Sequence, residues 1–298
     1  MSNRNAIIVM PAYNESGNIY HLVKKLRNYI NKVIVVDDGS KDNTSELAET
    51  AGATVIHILS NSGYTNAVMT GFKYAIDNGS SEIVTFDADG AHNPDEVLQL
   101  INKYYESKSE LFIGNRFDVH LPNVVSSSTL WANFFASRIM NLIMGTQLID
   151  VSCGFRIYDT KLALTLMKEQ LSSGYGLPYH SIVIAINSGY KVSNYPVSVY
   201  YDASKVICTK KIEFIDLLSV LVEATKSNYI INTELISLSE SVYNLIPLTI
   251  KIDNITLCLH PIITESSYLF QAQNTKYERI IGRLYDFDQF SAKKNQFA

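Results

Sequence analysis

The sequence is short of several features that would direct a reading elsewhere. Its three cysteines, Cys153, Cys208 and Cys258, are far apart and odd in number. They form neither a metal-ligand spacing nor a disulfide framework, so the expected setting is a reducing, cytoplasmic one. A basic excess is also missing. Lys and Arg total 25 against 29 Asp and Glu, a net charge of −4, which argues against a nucleic-acid partner. No run is apolar for long enough to span a bilayer. The two most apolar windows, 129–149 and 212–224, are broken by Asn133, Arg138 and Asn141 and by Glu213, Asp216 and Glu223. No signal-peptide pattern precedes the strand-like run at Ala6, and there is no internal repeat or low-complexity tract. At 298 residues, 47% hydrophobic and 18% charged, the chain can build one large domain, or one domain plus a smaller appendage.

What is present is an alternation of short apolar runs with helical periodicity. Ala6–Met10 reads as a strand that stops at Pro11, and Asn14 or Ser16 is placed to cap a helix carrying Ile19, Leu22, Val23, Leu26, Tyr29 and Ile30. Lys32–Val36, Thr54–Leu59, Glu82–Phe86 and Leu111–Gly114 read as further strands. Helices are expected from Asp42-Asn43-Thr44 to about Ala51, over Thr65–Asp77, and after Asn93-Pro94. Strands and helices alternating at this spacing predict an α/β fold with a mostly parallel sheet flanked by helices.

Three of these strands end in polar loops: Pro11–Glu15, Asp37–Ser40 and Asp87–His92. In a parallel sheet such ends share one edge, where ligands of open α/β sheets gather. Asp87 and Asp89 lie one residue apart at the end of an apolar run. Two readings stand side by side. Asp and Gly favour turns; equally, two hard oxygen ligands beside a diphosphate suit Mg²⁺ or Mn²⁺. The turn reading accounts less well for Asp37, Asp38, Asp87 and Asp89 together, because clustered carboxylates repel unless a cation or a donor-rich ligand joins them.

Pro11-Ala12-Tyr13-Asn14-Glu15, Val35-Val36-Asp37-Asp38-Gly39-Ser40 and Phe86-Asp87-Ala88-Asp89-Gly90, in that order, resemble the three signatures of family 2 glycosyltransferases with the GT-A (Rossmann-like) fold. Ile113-Gly114-Asn115-Arg116, Asp150–Arg156, Gly189-Tyr190-Lys191-Val192, Pro196-Val197 and Ser204-Lys205 resemble the branch that includes dolichyl-phosphate mannose synthase and the polyprenyl-phosphate glycosyltransferases. The resemblance covers about residues 5–225. It implies that Pro11, Tyr13, Glu15 and Asp38 hold the nucleoside. Asp87 and Asp89 would serve the metal and diphosphate, with Arg116, Arg156 and Lys205 near phosphate groups. Pro11, Tyr13 and Asp38 also admit a plain role in shaping turns. Asp150 and His180 are the candidates for a general base, which a hydroxyl acceptor needs and a phosphate does not. Asp150 has the alternative of holding Arg156 or a backbone turn.

The chain departs from the family pattern in places. Ala91 stands where a Gln often joins the metal shell, and Tyr64 where a Lys or Arg is usual. Leu177-Pro178-Tyr179-His180 lacks the acidic pair, and Val124–Ser128 lacks an Arg. An apolar helix expected over Thr129–Met144, with Trp131, Phe134 and Phe135, is open to core packing, a dimer contact or a peripheral membrane contact. An amphipathic helix over Lys211–Lys226 has Glu213, Asp216 and Glu223 on its polar side, which favours docking on protein. The expected organisation is a glycosyltransferase domain over 1–227 and a small β-rich appendage over 228–298, with strands near Ile246–Ile255, Thr256–His260 and Ser267–Gln273. The implied activity is metal-dependent, inverting transfer from a nucleoside-diphosphate sugar to a polyprenyl phosphate, or alternatively to a saccharide hydroxyl in polysaccharide synthesis. The implied place is cytoplasmic, at the inner face of the membrane. A nucleotidyltransferase is disfavoured because Pro11–Glu15 is not a Gly-rich loop with Arg and Lys. A non-catalytic nucleotide-sugar-binding descendant is the rival from another class.

Overall fold

The computed structural model describes residues 5–117, 133, 136–137, 140–141, 144, 146–169, 171 and 174–200, and the backbone of four strands between 248 and 286. The chain separates into two compact units, residues 1–220 and 221–298, which are taken one at a time.

The first unit is built on a seven-stranded sheet. Its strands are β1 (Ala6–Ala12), β2 (Val33–Asp37), β3 (Thr54–His57), β4 (Glu82–Thr85), β5 (Leu111–Asn115), β6 (Arg156–Asp159) and β7 (Val192–Pro196). Their spatial order is β3-β2-β1-β4-β6-β5-β7. All run parallel except β6, which pairs antiparallel with both β4 and β5. Six described helices accompany them: α1 (Ile19–Leu26), α2 (Thr44–Thr50), α3 (Tyr64–Asp77), α4 (Val97–Ser107), α5 (Thr160–Leu166) and α6 (Leu177–Asn187). The first four strands and helices α2 and α3 fall where the periodicity predicts them, with ends shifted by one or two residues, while α1 stops at Leu26, short of the Tyr29 and Ile30 expected on it.

Burial explains why the central strands are unbroken apolar runs. Ile7, Ile8, Val9 and Met10 of β1 are each 0% exposed, as expected of a strand covered on both faces. Each such side chain contributes about 1.5–3 kcal/mol of gross burial. Helix α1 buries Ile19, Leu22, Val23 and Leu26, the one-sided stripe that helical spacing dictates. Helix α3 approaches the sheet most closely at Gly71, where a Cβ would overlap Val9 and press on Val36. Any larger residue there would lift the helix that begins at Tyr64.

Among the described residues of the helix expected over 129–144, Asn133, Ala136, Ser137 and Met140 are helical and buried. Trp131, Phe134, Phe135 and the whole Lys211–Lys226 segment lie outside the described residues. No helix among the described residues is long and apolar enough to cross a membrane.

The second unit holds a four-stranded antiparallel sheet of β8 (Leu248–Ile252), β9 (Ile255–Ile263), β10 (Ser267–Asn274) and β11 (Ile280–Asp286), in the order β11-β10-β9-β8. Strand β11 is not among those expected from the sequence; Gly282 interrupts its alternation.

Candidate functional site

Strands β2 and β3 lie to one side of β1, and β4 to the other. The winding direction therefore reverses between β1 and β4, and a crevice opens at the carboxyl ends of the strands beside such a reversal. The loops after β1, β2 and β4 meet there and are stitched together. Asn14 N–H donates to Ser40 Oγ at 2.9 Å, and Lys41 N–H to Asn14 Oδ1 at 2.8 Å. Glu15 N–H donates to Thr44 Oγ1 at 2.8 Å. Asn18 Nδ2 bridges the reversal, donating to Glu15 Oε2 at 3.2 Å and to the Asp89 carbonyl at 3.0 Å. Neither Asn14 nor Ser16 caps α1. Asn14 instead takes a left-handed turn (φ 57°) that Asn tolerates, and Asn18 occupies the cap position without a side-chain capping bond to the helix.

The residues expected around a nucleoside are brought to this edge. Pro11 pairs with Val36 in the sheet, and Tyr13, 42% exposed, stands on the loop beyond it. Asp38 is buried, and its carboxylate already accepts three bonds from the loop after β3: Ser62 N–H at 2.8 Å, Ser62 Oγ at 2.7 Å and Gly63 N–H at 2.8 Å. That is the turn-holding role the sequence left open beside nucleoside binding. Gly39 (φ +77°) lets this loop close, because a Cβ would come within 2.9 Å of the Ser60–Asn61 backbone.

Asp87 sits at the centre of the site. Its Oδ2 faces His92 Nε2 at 3.2 Å, and its Oδ1 accepts from the Tyr64 hydroxyl at 3.4 Å. Gly154 packs directly on the carboxylate; a Cβ at this position would overlap it. Thr85 Oγ1 donates to the Gly154 carbonyl at 2.6 Å and holds that backbone in place. Burial works to raise the Asp87 pKa. The hydrogen bond and charge of His92, the nearby Arg116 and the Tyr64 hydroxyl outweigh it, so the carboxyl stays below its usual range. His92 is itself 2% exposed, between the rings of Phe86 and Phe155, and its Nδ1 has no hydrogen-bond partner among the described residues. Asp89 is exposed; its Oδ1 accepts from Ala91 N–H at 2.9 Å.

The Asp150–Arg156 segment is organised differently from the expectation. Asp150 does not hold Arg156. It forms a bidentate pair with Arg116, at 2.7 Å to Nε and 3.0 Å to Nη2, and also accepts from Ser152 N–H and Cys153 N–H. The Asp150 side chain is 0% exposed and that of Arg116 only 12%. Burial works to raise the Asp150 pKa, but Arg116 and the backbone donors hold it below the usual range. Arg156 is 1% exposed. Its guanidinium is spent on the carbonyls of Cys153 (2.5 Å), Pro178 (2.6 Å) and Val151 (2.7 Å) and on Ser181 Oγ (3.0 Å). A role in direct contact with phosphate does not fit a cation so enclosed; Arg156 ties the 150–156 segment to the start of α6. Arg116 is the cation whose field reaches Asp87. Lys205 lies outside the described residues.

No group of three or more His, Cys, Asp or Glu side chains among the described residues is arranged to hold a metal by itself. Mg²⁺ needs no such cage, since it commonly takes one or two carboxylates and completes its shell with phosphate and water. Asp87 and Asp89 fit that demand, and the glycine contact at 154 leaves room for the Asp87 carboxylate alone. Three contributors were not legible as such. Tyr64 reads as a lost cation, His92 as a retained position of the family motif that also admits a structural role, and Gly154 as one letter of a motif. Only pairing β4 with β6, Thr85 opposite Arg156, sets Gly154 against Asp87.

Residues 7–166 match the family described as Glycosyl transferase family 2. A UDP-N-acetylglucosamine--dolichyl-phosphate N-acetylglucosaminyltransferase of Methanococcus voltae is 31% identical over 67% of this chain and 88% of its own length. A polyprenol monophosphomannose synthase of Mycolicibacterium smegmatis is 27% identical over 65% of this chain and 77% of its own. Among solved structures, glucosyl-3-phosphoglycerate synthase of Mycobacterium tuberculosis superposes with a TM-score of 0.61 over 83% of this chain and 85% of that one, at 16% identity. That likeness bears on the fold, a GT-A sheet. The same enzyme has been solved with Mn²⁺, UDP-glucose and phosphoglyceric acid. With the family signature spanning more than half the chain and the sheet arranged around it, this protein is a glycosyltransferase and belongs to glycosyl transferase family 2.

Proposed function

We propose that the protein transfers a sugar, with inversion at the anomeric carbon, from a nucleoside-diphosphate sugar to a polyprenyl phosphate. The chemistry is assigned to residues 1–227, with 228–298 as an appendage. One observation carries the acceptor: both candidate bases are withdrawn from service. Asp150 is sealed and neutralised by Arg116. Burial pushes the His180 pKa down to about 4, too weak a base for a sugar hydroxyl at neutral pH. A phosphate acceptor is already anionic and attacks without one. The names of the two relatives, which refer to dolichyl phosphate and to polyprenol monophosphomannose, support the same reading.

In this mechanism Asp87 and Asp89 would hold Mg²⁺ or Mn²⁺, which would supply the positive charge that stabilises the departing diphosphate. The chain's own share is positioning. His92 and Tyr64 hold the Asp87 carboxylate from its two oxygens, and Gly154 fixes its approach. Asn18 holds the Asp89 backbone against the loop after β1. Tyr13 and Pro11 offer surfaces to the base, and Asp38 shapes the wall of its pocket through Ser62 and Gly63. Arg116 adds positive field without leaving its pair with Asp150. A polyprenyl phosphate is a membrane lipid, so this reading sets the enzyme at a membrane face.

The test is to incubate the protein with Mn²⁺, sugar nucleotides and a short-chain polyprenyl phosphate, and to look for a glycosyl-phospholipid by mass spectrometry. Transfer to a free saccharide with none to the lipid phosphate rejects the acceptor and leaves the family intact. Binding of sugar nucleotide with no transfer to any acceptor identifies a non-catalytic descendant.

A further inference from the structure

We infer that Tyr64 and Tyr175 form an aromatic wall that seats the sugar ring of the donor; the inference rests on the donor reading above. Tyr64 is the first residue of α3, and the two residues before it are fastened to Asp38 through Ser62 N–H and Gly63 N–H. Its hydroxyl reaches Asp87 Oδ1 at 3.4 Å. The residue therefore stands between Asp38, just after β2, and Asp87, in the loop after β4. The Tyr175 ring lies against it, with centroids 4.3 Å apart and planes tilted by 36°.

Backbone bonds pin this pair from both sides. Thr65 N–H and Thr65 Oγ1 both donate to the Gly174 carbonyl, at 3.1 and 2.8 Å. Leu177 N–H donates to Thr65 Oγ1 at 3.2 Å. The loop carrying Tyr175 thus cannot leave without breaking bonds to the first turn of α3. Both tyrosines are half-buried rather than sealed, so part of the wall remains open to a ligand. A core aromatic pair would be covered, and the Tyr64 hydroxyl would not be aimed at the Asp87 carboxylate.

The chemistry of the occupant follows from place and surface. The diphosphate must lie beside Asp87 for a shared cation to neutralise it, and the sugar is the group attached to that diphosphate. A pyranose offers one face of C–H groups, apolar and slightly positive at its edge. An aromatic face carries the complementary negative quadrupole, and pockets for such ligands are lined mainly by aromatic and apolar side chains with a few fixed polar groups.

The experiment is titration calorimetry with Mn²⁺ present, comparing UDP with UDP-glucose and UDP-N-acetylglucosamine, and GDP with GDP-mannose. The pair whose sugar nucleotide binds wild type best is then carried to the variants. Tyr175→Ala should weaken the sugar nucleotide about tenfold, the upper end of an aromatic contact, while the nucleoside diphosphate binds as in wild type. That unchanged affinity also certifies the fold of the variant. Tyr64→Phe keeps the ring and should keep the preference for the sugar nucleotide. Equal losses for both ligands in Tyr175→Ala, or a loss in neither, overturn the inference. If wild type binds none of the sugar nucleotides, the donor reading falls first, which is a different result from a lost preference.

Discussion

Of the aspartates held below the ordinary carboxylate range, Asp150 and Asp87 are held there in opposite ways. Asp150 is 0% exposed, faces a bidentate Arg116 and accepts from three backbone N–H groups; its charge is answered within the fold. The Asp87 side chain keeps 16% of its surface open and meets His92 and the Tyr64 hydroxyl. Arg116 acts on it only through its field. A carboxylate whose partner is built in is a structural part, whereas one left beside an opening with weak donors has capacity for a cation that arrives with a ligand. Sequence motifs assign both to the site, but this contrast separates their roles.

The largest expected effect tests the structural half. Asp150→Ala leaves a nearly buried guanidinium without its partner and should destabilise the protein by about 3–5 kcal/mol, read as a lower urea midpoint. If Asp150 were a general base, the variant would keep its stability and lose turnover instead.

The open half is tested by Asp87→Asn, which keeps the shape and removes the charge. Turnover should fall on the order of a hundredfold, consistent with the several kcal/mol a metal ion supplies, while the urea midpoint changes little. Metal-dependent binding of nucleoside diphosphate, followed by calorimetry, should weaken in parallel, and likewise in Asp89→Ala. Undiminished metal-dependent binding in both variants would erase the contrast.

Asp38 tests a residue with claims on both roles. Asp38→Ala strands the Ser62 and Gly63 N–H groups, a cost of about 1–3 kcal/mol in stability. Nucleoside affinity should fall as well, even without diphosphate, because the pocket wall moves. A stability loss with unchanged nucleoside affinity would make Asp38 purely a turn residue.

The smallest effect concerns pH. Burial lowers the His180 pKa to about 4, against about 6.5 in an unfolded chain. Between those values the unfolded state binds a proton that the folded state refuses, so this contribution is fully present above pH 6.5 and declines as pH falls toward 4. Asp150, also depressed, loses its contribution at lower pH still, as its carboxyl is finally protonated. Denaturation midpoints measured across this range should fall less steeply for His180→Gln than for wild type.

How much of this was legible beforehand differs by element. The run from Ala6 to Asp89 could be read almost residue by residue, because each buried strand is a continuous apolar run and each loop begins with residues that stop it. The Asp87-x-Asp89 pair was legible for the same reason. The partners of Asp87 were not: Tyr64 is 23 residues away along the chain and Gly154 is 67 residues away. Arg156 was misplaced because a motif shows that a cation is present without showing which carbonyls surround it.

The sequence by itself determined the alternation of strands and helices, the carboxylates at the strand ends and the family. Those depend on local periodicity, turn chemistry and short spacings that every copy of the chain carries in order. The tertiary structure alone decided which charges are spent and which remain for a ligand. Folding β6 antiparallel between β4 and β5 seals Arg156 among carbonyls and lays Gly154 on Asp87. Packing the first turn of α3 against the loop at 174–177 lays the Tyr175 ring against Tyr64, whose hydroxyl reaches Asp87. Burial and pairing are properties of neighbours distant in sequence, and the cost of leaving a buried charge unanswered is settled only when those neighbours meet.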